Sequence, residues 1–136
     1  MTFINSFHEG IELPPFKIKV EAQKYRKYNR LIKEINPIHF NKKYAQNLGF
    51  DSIVVAGNFL FTYIPKWLID WIGDARIIKR ITINFQHPIY ADDVIIHKGK
   101  IVKIIEKNNR KVAECEYIVQ KENGQKTANG TITFQI

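Results

Sequence analysis

The stretch "GNFLFTYIPKWLIDWIGD", residues 57–74, is apolar around most of its circumference when it is drawn as a helix. A helix without a polar face has to be buried, because it presents almost nothing that water can solvate. We therefore predict a buried helix over residues 58–72, ended by Gly73. Pro65 lacks an N–H and crowds the preceding turn, so it is expected to kink this helix or to divide it into two pieces.

The chain after this helix alternates apolar and polar residues, which is the pattern of half-buried strands. Four segments show it: 77–85, 94–106, 111–120 and 126–136. Short turns, "KNNR" at 107–110 and "ENGQ" at 122–125, join the last three, and Asn-Gly suits a tight hairpin. The four strands are predicted to form an antiparallel meander, and the fold class is α+β.

The chain before the helix contains a strand and two shorter helices. The strand is expected to end at Val20, after which Tyr25, Tyr28, Leu31 or Ile32, and Ile35 recur at helical spacing. This helix should stop at residue 35 or 36, because a proline at 37 disfavours the helical conformation in the residue before it. A second helix is expected over 41–48, with an Asn N-cap and a terminating Gly49.

The bulk composition indicates one globular domain over residues 1–136. The hydrophobic content of 45% and the charged content of 25% are ordinary for such a domain. No apolar run reaches the roughly 20 residues that a membrane helix needs, and "MTFINSFHEG" does not read as a signal peptide, so a cytoplasmic localisation is expected. Cys115 is the only cysteine and alternates with apolar strand residues, which favours an inert core position over a nucleophile.

Positive charge is concentrated in one part of the chain. The net charge is +8, and residues 17–43 hold nine Lys or Arg against two Glu. Such a field favours an anionic partner, which is a nucleic acid, a phosphorylated cofactor or an acidic carrier protein, although a solvated helix face would look the same. Nucleic acid is the weakest candidate, because the strands lack the exposed aromatic residues that single-strand readers use.

"EINPIHF", residues 34–40, places a carboxylate, a proline and a histidine within six residues. It is either a catalytic acid–base pair or an ordinary helix terminus. Pro37 is expected to stop the helix, so that His39 folds back beside Glu34. No metal site is expected, because the sequence has no cluster of His, Cys and carboxylate residues. His8 and His97 have no second ligand at metal-binding spacing, and His87 is expected to pack or to face solvent.

Three elements in order resemble the MaoC-like, R-specific enoyl-CoA hydratase family of hotdog proteins. The first is the hydratase motif Asp-x-Asn-Pro-(Ile/Leu)-His, which Asn36, Pro37, Ile38 and His39 match as they stand. The second is a His-Gly-Met element, whose glycine falls at Gly57, 18 residues after His39. The third is Phe-x-x-Pro-(Val/Ile)-x-x-Gly-Asp, which "FQHPIYADD", residues 85–93, matches loosely. The resemblance implies a hotdog fold, an antiparallel sheet wrapped around a central apolar helix.

The resemblance also implies an activity, the interconversion of 2-enoyl and 3-hydroxyacyl thioesters. Glu34 would be the base that takes a proton from water, and His39 the acid that protonates the α-carbon. The backbone N–H of Gly57 would stabilise the enolate oxygen, since N–H groups at a helix start favour negative charge. Asn58 either reaches the thioester carbonyl or caps the buried helix, and Asn36 is expected to brace the loop.

The family is expected to use no cofactor, because coenzyme A or an acyl carrier protein carries the substrate. The basic segment would attract that carrier. A homodimer is expected, or a heterodimer with a related hotdog subunit.

Departures from the family pattern leave alternatives open, and one of these departures is Pro65 at a place where some hydratases carry a Ser. Glu34 stands for the family Asp, Lys33 for the preceding Gly, and Ala56-Gly57-Asn58 for His-Gly-Met. The extra methylene of Glu moves the carboxylate by about 1 Å, and a misplacement of that size can cost ~10²-fold in rate. A non-catalytic acyl-thioester-binding protein or partner subunit is therefore one alternative, and a hotdog thioesterase is another.

Overall fold

The computed structural model describes residues 7–136, in which six strands form one antiparallel sheet. The strands are β1 (Phe16–Lys19), β2 (Ile78–Ile81), β3 (Asn84–Phe85), β4 (Val94–Lys107), β5 (Arg110–Lys121) and β6 (Lys126–Gln135). Their order across the sheet is β1-β4-β5-β6-β2, and β3 also pairs with β6. The helices are α1 (Ala22–Ile32), α2 (Lys42–Asn47), α3 (Gly57–Phe61) and α4 (Tyr63–Ile72), with 3₁₀ turns at Pro37–His39 and Ala75–Ile77. The α+β prediction is confirmed.

The apolar helix lies against the sheet, as predicted. In α4, Trp67 packs edge-on against Tyr117 of β5, with ring centroids 6.2 Å apart. One turn later, Trp71 packs in the same way against Phe134 of β6, also at 6.2 Å. These four side chains are nearly or fully buried, so the helix and the inward face of the sheet share one core.

Pro65 divides the buried helix, as expected, but the break precedes it. The first piece, α3, ends at Phe61, and Thr62 separates it from α4. Pro65 has no N–H to offer the carbonyl of Phe61, and its ring would clash with that carbonyl in a continuous helix. It is tolerated in the first turn of α4, where no intrahelical N–H bond is required. Gly73 ends α4 with φ 78°, as predicted.

The prediction of a four-stranded meander is wrong. Only β4, β5 and β6 follow one another across the sheet, and the predicted strand 77–85 is a 3₁₀ turn followed by β2 and β3 on the far side of β6. Gly130 permits this arrangement, since a Cβ there would overlap the carbonyl oxygen of Thr82. That carbonyl accepts a hydrogen bond of 2.6 Å from the hydroxyl of Tyr117.

The prediction that Pro37 stops the first helix is also wrong. Helix α1 ends at Ile32, and Lys33 follows in the left-handed conformation with φ 54° and ψ 54°. The N–H of Glu34 then bonds back to the carbonyl of Asn29 at 3.0 Å, which closes the helix end. Ile35 therefore lies outside the helix and is 88% exposed, instead of extending its apolar face.

Helix α2 starts as predicted, with the Asn41 side chain accepting from the N–H of Tyr44 at 3.0 Å. Among the described residues, no helix is both long enough and apolar enough to cross a membrane.

Candidate active site

The carboxylate of Glu34 is held by the backbone of its own loop. Its Oε1 accepts hydrogen bonds from the N–H groups of Ile35 at 3.1 Å and Asn36 at 3.0 Å. The side chain of Asn36 in turn accepts from the N–H of Ile38 at 3.3 Å and caps the 3₁₀ turn that Pro37 begins. Asn36 thus braces the loop, as expected, and the carboxylate is left with Oε2 for other partners.

The imidazole of His39 is anchored through one nitrogen. Its Nδ1 lies 2.7 Å from the carbonyl oxygen of Val54. A carbonyl only accepts, so Nδ1 carries the hydrogen and donates, and Nε2 is the nitrogen free to exchange a proton. A backbone bond of 3.0 Å from the N–H of Val54 to the carbonyl of Ile38 ties the same two segments together. The ring orientation is therefore fixed by the fold.

Gly57 is the first residue of α3, and its N–H has no hydrogen-bond partner among residues 7–136. The N–H of the preceding Ala56 is satisfied by the Tyr25 hydroxyl at 2.8 Å, and that hydroxyl donates to the carbonyl of Val54 at 3.2 Å. A Cβ added at Gly57 would lie 2.7 Å from Cε2 of Phe85, so only glycine leaves this ring in place. The free N–H is an oxyanion-hole type of donor.

These groups line one cleft of about 360 Å³, which we call the α3 cleft. Its lining residues are Glu34, Asn36, His39, Ala56, Gly57, Asn58, Phe61, Ile83 and Phe85. Glu34 and His39 also line a second cleft of about 650 Å³ beside α1, which we call the α1 cleft. The structure thus brings Glu34, His39, Gly57 and Asn58 to one place.

Asn58 is exposed in the first turn of α3, whose N-cap is Ala56, so the N-cap alternative for Asn58 is wrong.

The sequence does not predict the roles of two residues near His39, Tyr25 and Asn29. Tyr25 belongs to the predicted apolar face of α1, but the pattern gives no sign that its hydroxyl braces residues 54 and 56. Burial raises the pKa of that hydroxyl. Asn29 is only 7% exposed, and its Nδ2 donates to the carbonyl of His39 at 2.9 Å. Its Oδ1 is buried and has no partner among the described residues. The available signal was spacing, since Tyr25 and Asn29 are four residues apart and share a helix face.

The other candidate groups stay outside the clefts. His97 is buried in β4, and burial lowers its pKa to about 4, so it is neutral at physiological pH. Burial raises the pKa of the Cys115 thiol to about 12, as fits the inert core cysteine that was predicted. Within residues 7–136, no group of three His, Cys, Asp or Glu side chains is placed to hold a metal ion.

Comparison with known proteins gives one family. The sequence model described as "MaoC like domain" matches residues 9–123. A curated relative from Solanum lycopersicum, the mitochondrial 3-hydroxyacyl-(acyl-carrier-protein) dehydratase FERN, is 27% identical over 109 residues. That alignment covers 80% of this chain and 66% of the relative.

Solved structures share the fold at low sequence identity. An (R)-hydratase from A. caviae involved in PHA biosynthesis superposes with a TM-score of 0.80 at 16% identity, covering 94% of this chain and 96% of that one. One chain of the C-terminally truncated HadBC complex, a 3R-hydroxyacyl-ACP dehydratase from Mycobacterium tuberculosis, gives 0.74 at 18% identity with the same coverage. The predicted hotdog fold is confirmed.

Proposed function

This chain belongs to the family of MaoC-like domains, and from that premise we propose that it interconverts 2-enoyl and 3-hydroxyacyl thioesters as a hydratase/dehydratase. One observation supports this reaction above the others. Three groups line the same cleft: the carboxylate of Glu34, the imidazole of His39 with its free Nε2, and the unpartnered backbone N–H of Gly57. Those are the base, the acid and the oxyanion donor that hydration of an enoyl thioester requires.

In the hydration direction, the carboxylate of Glu34 takes a proton from water while the water oxygen bonds to C3. The C2=C3 electron pair moves toward the thioester oxygen, and the N–H of Gly57 stabilises the resulting enolate. Nε2 of protonated His39 then gives its proton to C2, and the electron pair returns from the oxygen to form the C–H bond. A proton passing from Glu34 to His39 restores the starting state, and dehydration runs the same steps backwards.

The anchoring of both side chains suits these roles. The Nδ1–H bond to Val54 directs proton exchange through Nε2, and the two backbone bonds on Oε1 of Glu34 hold its carboxylate without occupying Oε2. Preorganised groups of this kind need no rearrangement as charge develops. Asn36 and Pro37 shape the loop, and Asn58, exposed at the cleft, is a second candidate donor to the thioester carbonyl.

The substrate is an acyl thioester of coenzyme A or of an acyl carrier protein, and the protein needs no cofactor. Assembly as a homodimer, or with a related hotdog subunit, is supported by two large apolar side chains that are exposed: Leu31 in α1 at 74% and Leu48, directly after α2, at 58%. Solved neighbours include two-component complexes, HadBC and ChsH1-ChsH2. Cytoplasmic localisation stays a prediction, and the tomato relative is named mitochondrial.

The test is incubation of the purified chain with crotonyl-CoA. Hydration removes the enoyl absorbance and leaves the thioester intact, whereas a thioesterase releases free thiol. Glu34→Gln and His39→Asn should each lower kcat by ~10²–10⁴-fold, because each removes a proton-transfer group. The His39→Asn side chain retains an N–H near the position of Nδ1, so the bond to Val54 can persist.

His87→Asn is the matched control, since His87 is exposed and lines neither cleft. Its kcat should equal that of the wild-type protein. Tight acyl-CoA binding without turnover would identify a non-catalytic partner subunit instead. Unchanged turnover in both Glu34→Gln and His39→Asn would show that the acid–base assignment is wrong.

A further inference from the structure

The hydroxyl of Tyr25 joins helix α1 to the segment that leads into α3. It accepts a hydrogen bond of 2.8 Å from the N–H of Ala56 and donates one of 3.2 Å to the carbonyl of Val54. An N–H only donates and a carbonyl only accepts, so the single hydroxyl hydrogen has to point to Val54. Burial raises the pKa of this hydroxyl, so it keeps that hydrogen at physiological pH.

The carbonyl of Val54 is also the group that holds the imidazole of His39. It accepts the Nδ1–H of His39 at 2.7 Å as well as the hydroxyl of Tyr25, and a carbonyl oxygen has two lone pairs for two such donors. The ring cannot turn without breaking its bond or moving this carbonyl. Because Tyr25 restrains the carbonyl, it also limits the movement of Nε2 of His39 in the α3 cleft.

The N–H of Ala56 lies one residue before the oxyanion donor. The carbonyl of Ala56 shares a peptide plane with the N–H of Gly57, and it accepts from the N–H groups of Phe59 at 3.1 Å and Leu60 at 3.2 Å. The first turn of α3 thus fixes the plane that follows Ala56, and Tyr25 fixes the plane that precedes it. The direction of the Gly57 N–H depends on both restraints.

A second side chain on the same face of α1 restrains His39. Asn29 is four residues after Tyr25, and its Nδ2 donates to the main-chain carbonyl of His39 at 2.9 Å. Its Oδ1 is buried and has no partner within residues 7–136, and an unpaired buried acceptor costs more than one hydrogen bond contributes. Asn29 therefore adds little to stability, and its contact with His39 acts as a restraint on position.

We propose that Tyr25 is a positioning residue that aligns the imidazole of His39 with the N–H of Gly57, and that Asn29 assists it. This inference rests on the proposed function and adds the group that holds the acid and the oxyanion donor in one arrangement. Tyr25 acts through these two groups and not on the substrate, because only 1% of its surface is exposed. Hydration needs both groups at once, so a shift of about 1 Å between them can cost ~10²-fold in rate.

Tyr25→Phe removes the hydroxyl and keeps the ring, which packs against Phe59 with centroids 5.1 Å apart. With crotonyl-CoA, kcat should fall by about 10–100-fold, because His39 and Gly57 lose their common restraint. KM should change by less than about twofold, since the lining of both clefts is retained. The melting temperature should fall by about 5 °C, because the N–H of Ala56 loses its partner.

Tyr28→Phe provides the comparison for this variant. The ring of Tyr28 also packs against Phe59, with centroids 5.0 Å apart, but its hydroxyl makes neither bond to residues 54 and 56 and it lines neither cleft. Its kcat should equal that of the wild-type protein. A folded Tyr25→Phe protein with wild-type kcat would overturn the inference.

Combining Tyr25→Phe with His39→Asn distinguishes positioning from a general loss of packing. A residue that acts through His39 should cost less when the imidazole is already absent, because there is no acid left to misalign. The fall in kcat caused by Tyr25→Phe should therefore be smaller in the His39→Asn protein than in the wild-type protein. An equal fall in both proteins would indicate a general effect and would also overturn the inference.

Asn29→Leu tests the second restraint in a variant that should fold as well as the wild-type protein. It removes the donor to His39 and the unpaired buried acceptor together, so the melting temperature should change by less than about 3 °C. Its kcat should nevertheless fall by about tenfold. An unchanged kcat would show that Asn29 has no positioning role.

Hydrogen exchange separates this inference from the proposed function, because it needs no turnover. In isotopically labelled protein, Tyr25→Phe should make the ring N–H of His39 exchange with solvent about tenfold faster or more, and should shift the amide signal of Gly57. Tyr28→Phe should do neither. Both changes in a chain that hydrates no thioester would support the positioning role and refute only the hydratase proposal. Turnover with both signals unchanged in Tyr25→Phe would overturn the inference and leave the hydratase proposal standing.

Discussion

Gly57→Ala should separate activity from stability. A Cβ at this position would lie 2.7 Å from Cε2 and 3.0 Å from Cζ of Phe85, whereas carbon atoms in contact prefer about 3.5–4.0 Å. The ring must therefore move by about 1 Å. Phe85 is 44% exposed and lies in the two-residue strand β3, so the ring can move toward solvent. Since alanine also favours a helix more than glycine does, the free energy of unfolding should change by less than about 1 kcal/mol.

The effect on catalysis should be much larger. The new methyl group would stand on the Cα next to the N–H of Gly57, and the ring that it displaces lines the same cleft, so both would crowd a thioester oxygen that approaches this N–H. Losing one oxyanion donor, or misplacing a substrate by about 1 Å, costs ~10²-fold in rate. We therefore expect kcat/KM to fall about 100-fold, which is about 2.7 kcal/mol of transition-state stabilisation.

The assay is the loss of enoyl absorbance from a thioester that the wild-type protein hydrates, with a thermal melt run in parallel. Phe85→Ala alone controls for loss of the ring, and combining it with Gly57→Ala should recover part of the activity by removing the clash. A folded Gly57→Ala protein with wild-type kcat/KM would refute the reasoning, because the α3 cleft could then not be the place where the thioester oxygen is held.

Three further predictions concern stability. Lys33→Gly should raise the free energy of unfolding by about 0.5–1 kcal/mol, because Lys33 has φ 54° and glycine adopts this left-handed conformation more easily. In contrast, Lys27→Gly within α1 should lower it by about 1 kcal/mol, and urea denaturation measures both. Burial lowers the pKa of His97 from 6.5 to about 4, so the unfolded chain binds a proton before the folded chain does as the pH falls. The free energy of unfolding should therefore decrease by about 3 kcal/mol between pH 6.5 and pH 4. The variant His97→Gln should lack this part of the pH dependence. Gly130→Ala should destabilise the sheet by about 3 kcal/mol, because its Cβ would overlap the backbone of Thr82. A melting temperature equal to that of the wild-type protein would contradict the close approach of Gly130 to Thr82.

Local sequence patterns were sufficient where neighbouring residues determine the conformation. Gly73 ends α4 and Asn41 caps α2, because both effects act within one helical turn. The "ENGQ" hairpin also lies where the sequence predicts it, but only Gly124 has a positive φ in that turn. The tight turn in which both central residues have positive φ is the other one, at Asn108 and Asn109. Turn chemistry is local, so its position was predictable even where its type was not.

The residues of the candidate site were found through the resemblance and not through periodicity. Asn36, Pro37 and His39 carry that resemblance in the sequence, but the partner of the His39 ring, the carbonyl of Val54, is 15 residues away. Periodicity placed Ile35 on the apolar face of a helix, and the left-handed conformation of Lys33 ended that helix first. The glycine that the family pattern has at this position would adopt that conformation more easily, which was the overlooked signal.

The sequence by itself determined which segments are helical or extended, where most of them end, and which carboxylate and imidazole could act together. These properties depend on backbone conformation and on side-chain periods that a few neighbouring residues decide. Only the tertiary structure decided that β2 pairs with β6, that Asn29 and His97 are buried, and that two clefts meet at Glu34 and His39. Pairing and burial arise from contacts between residues far apart in the chain, and alternation along a strand does not specify which neighbour that strand will have.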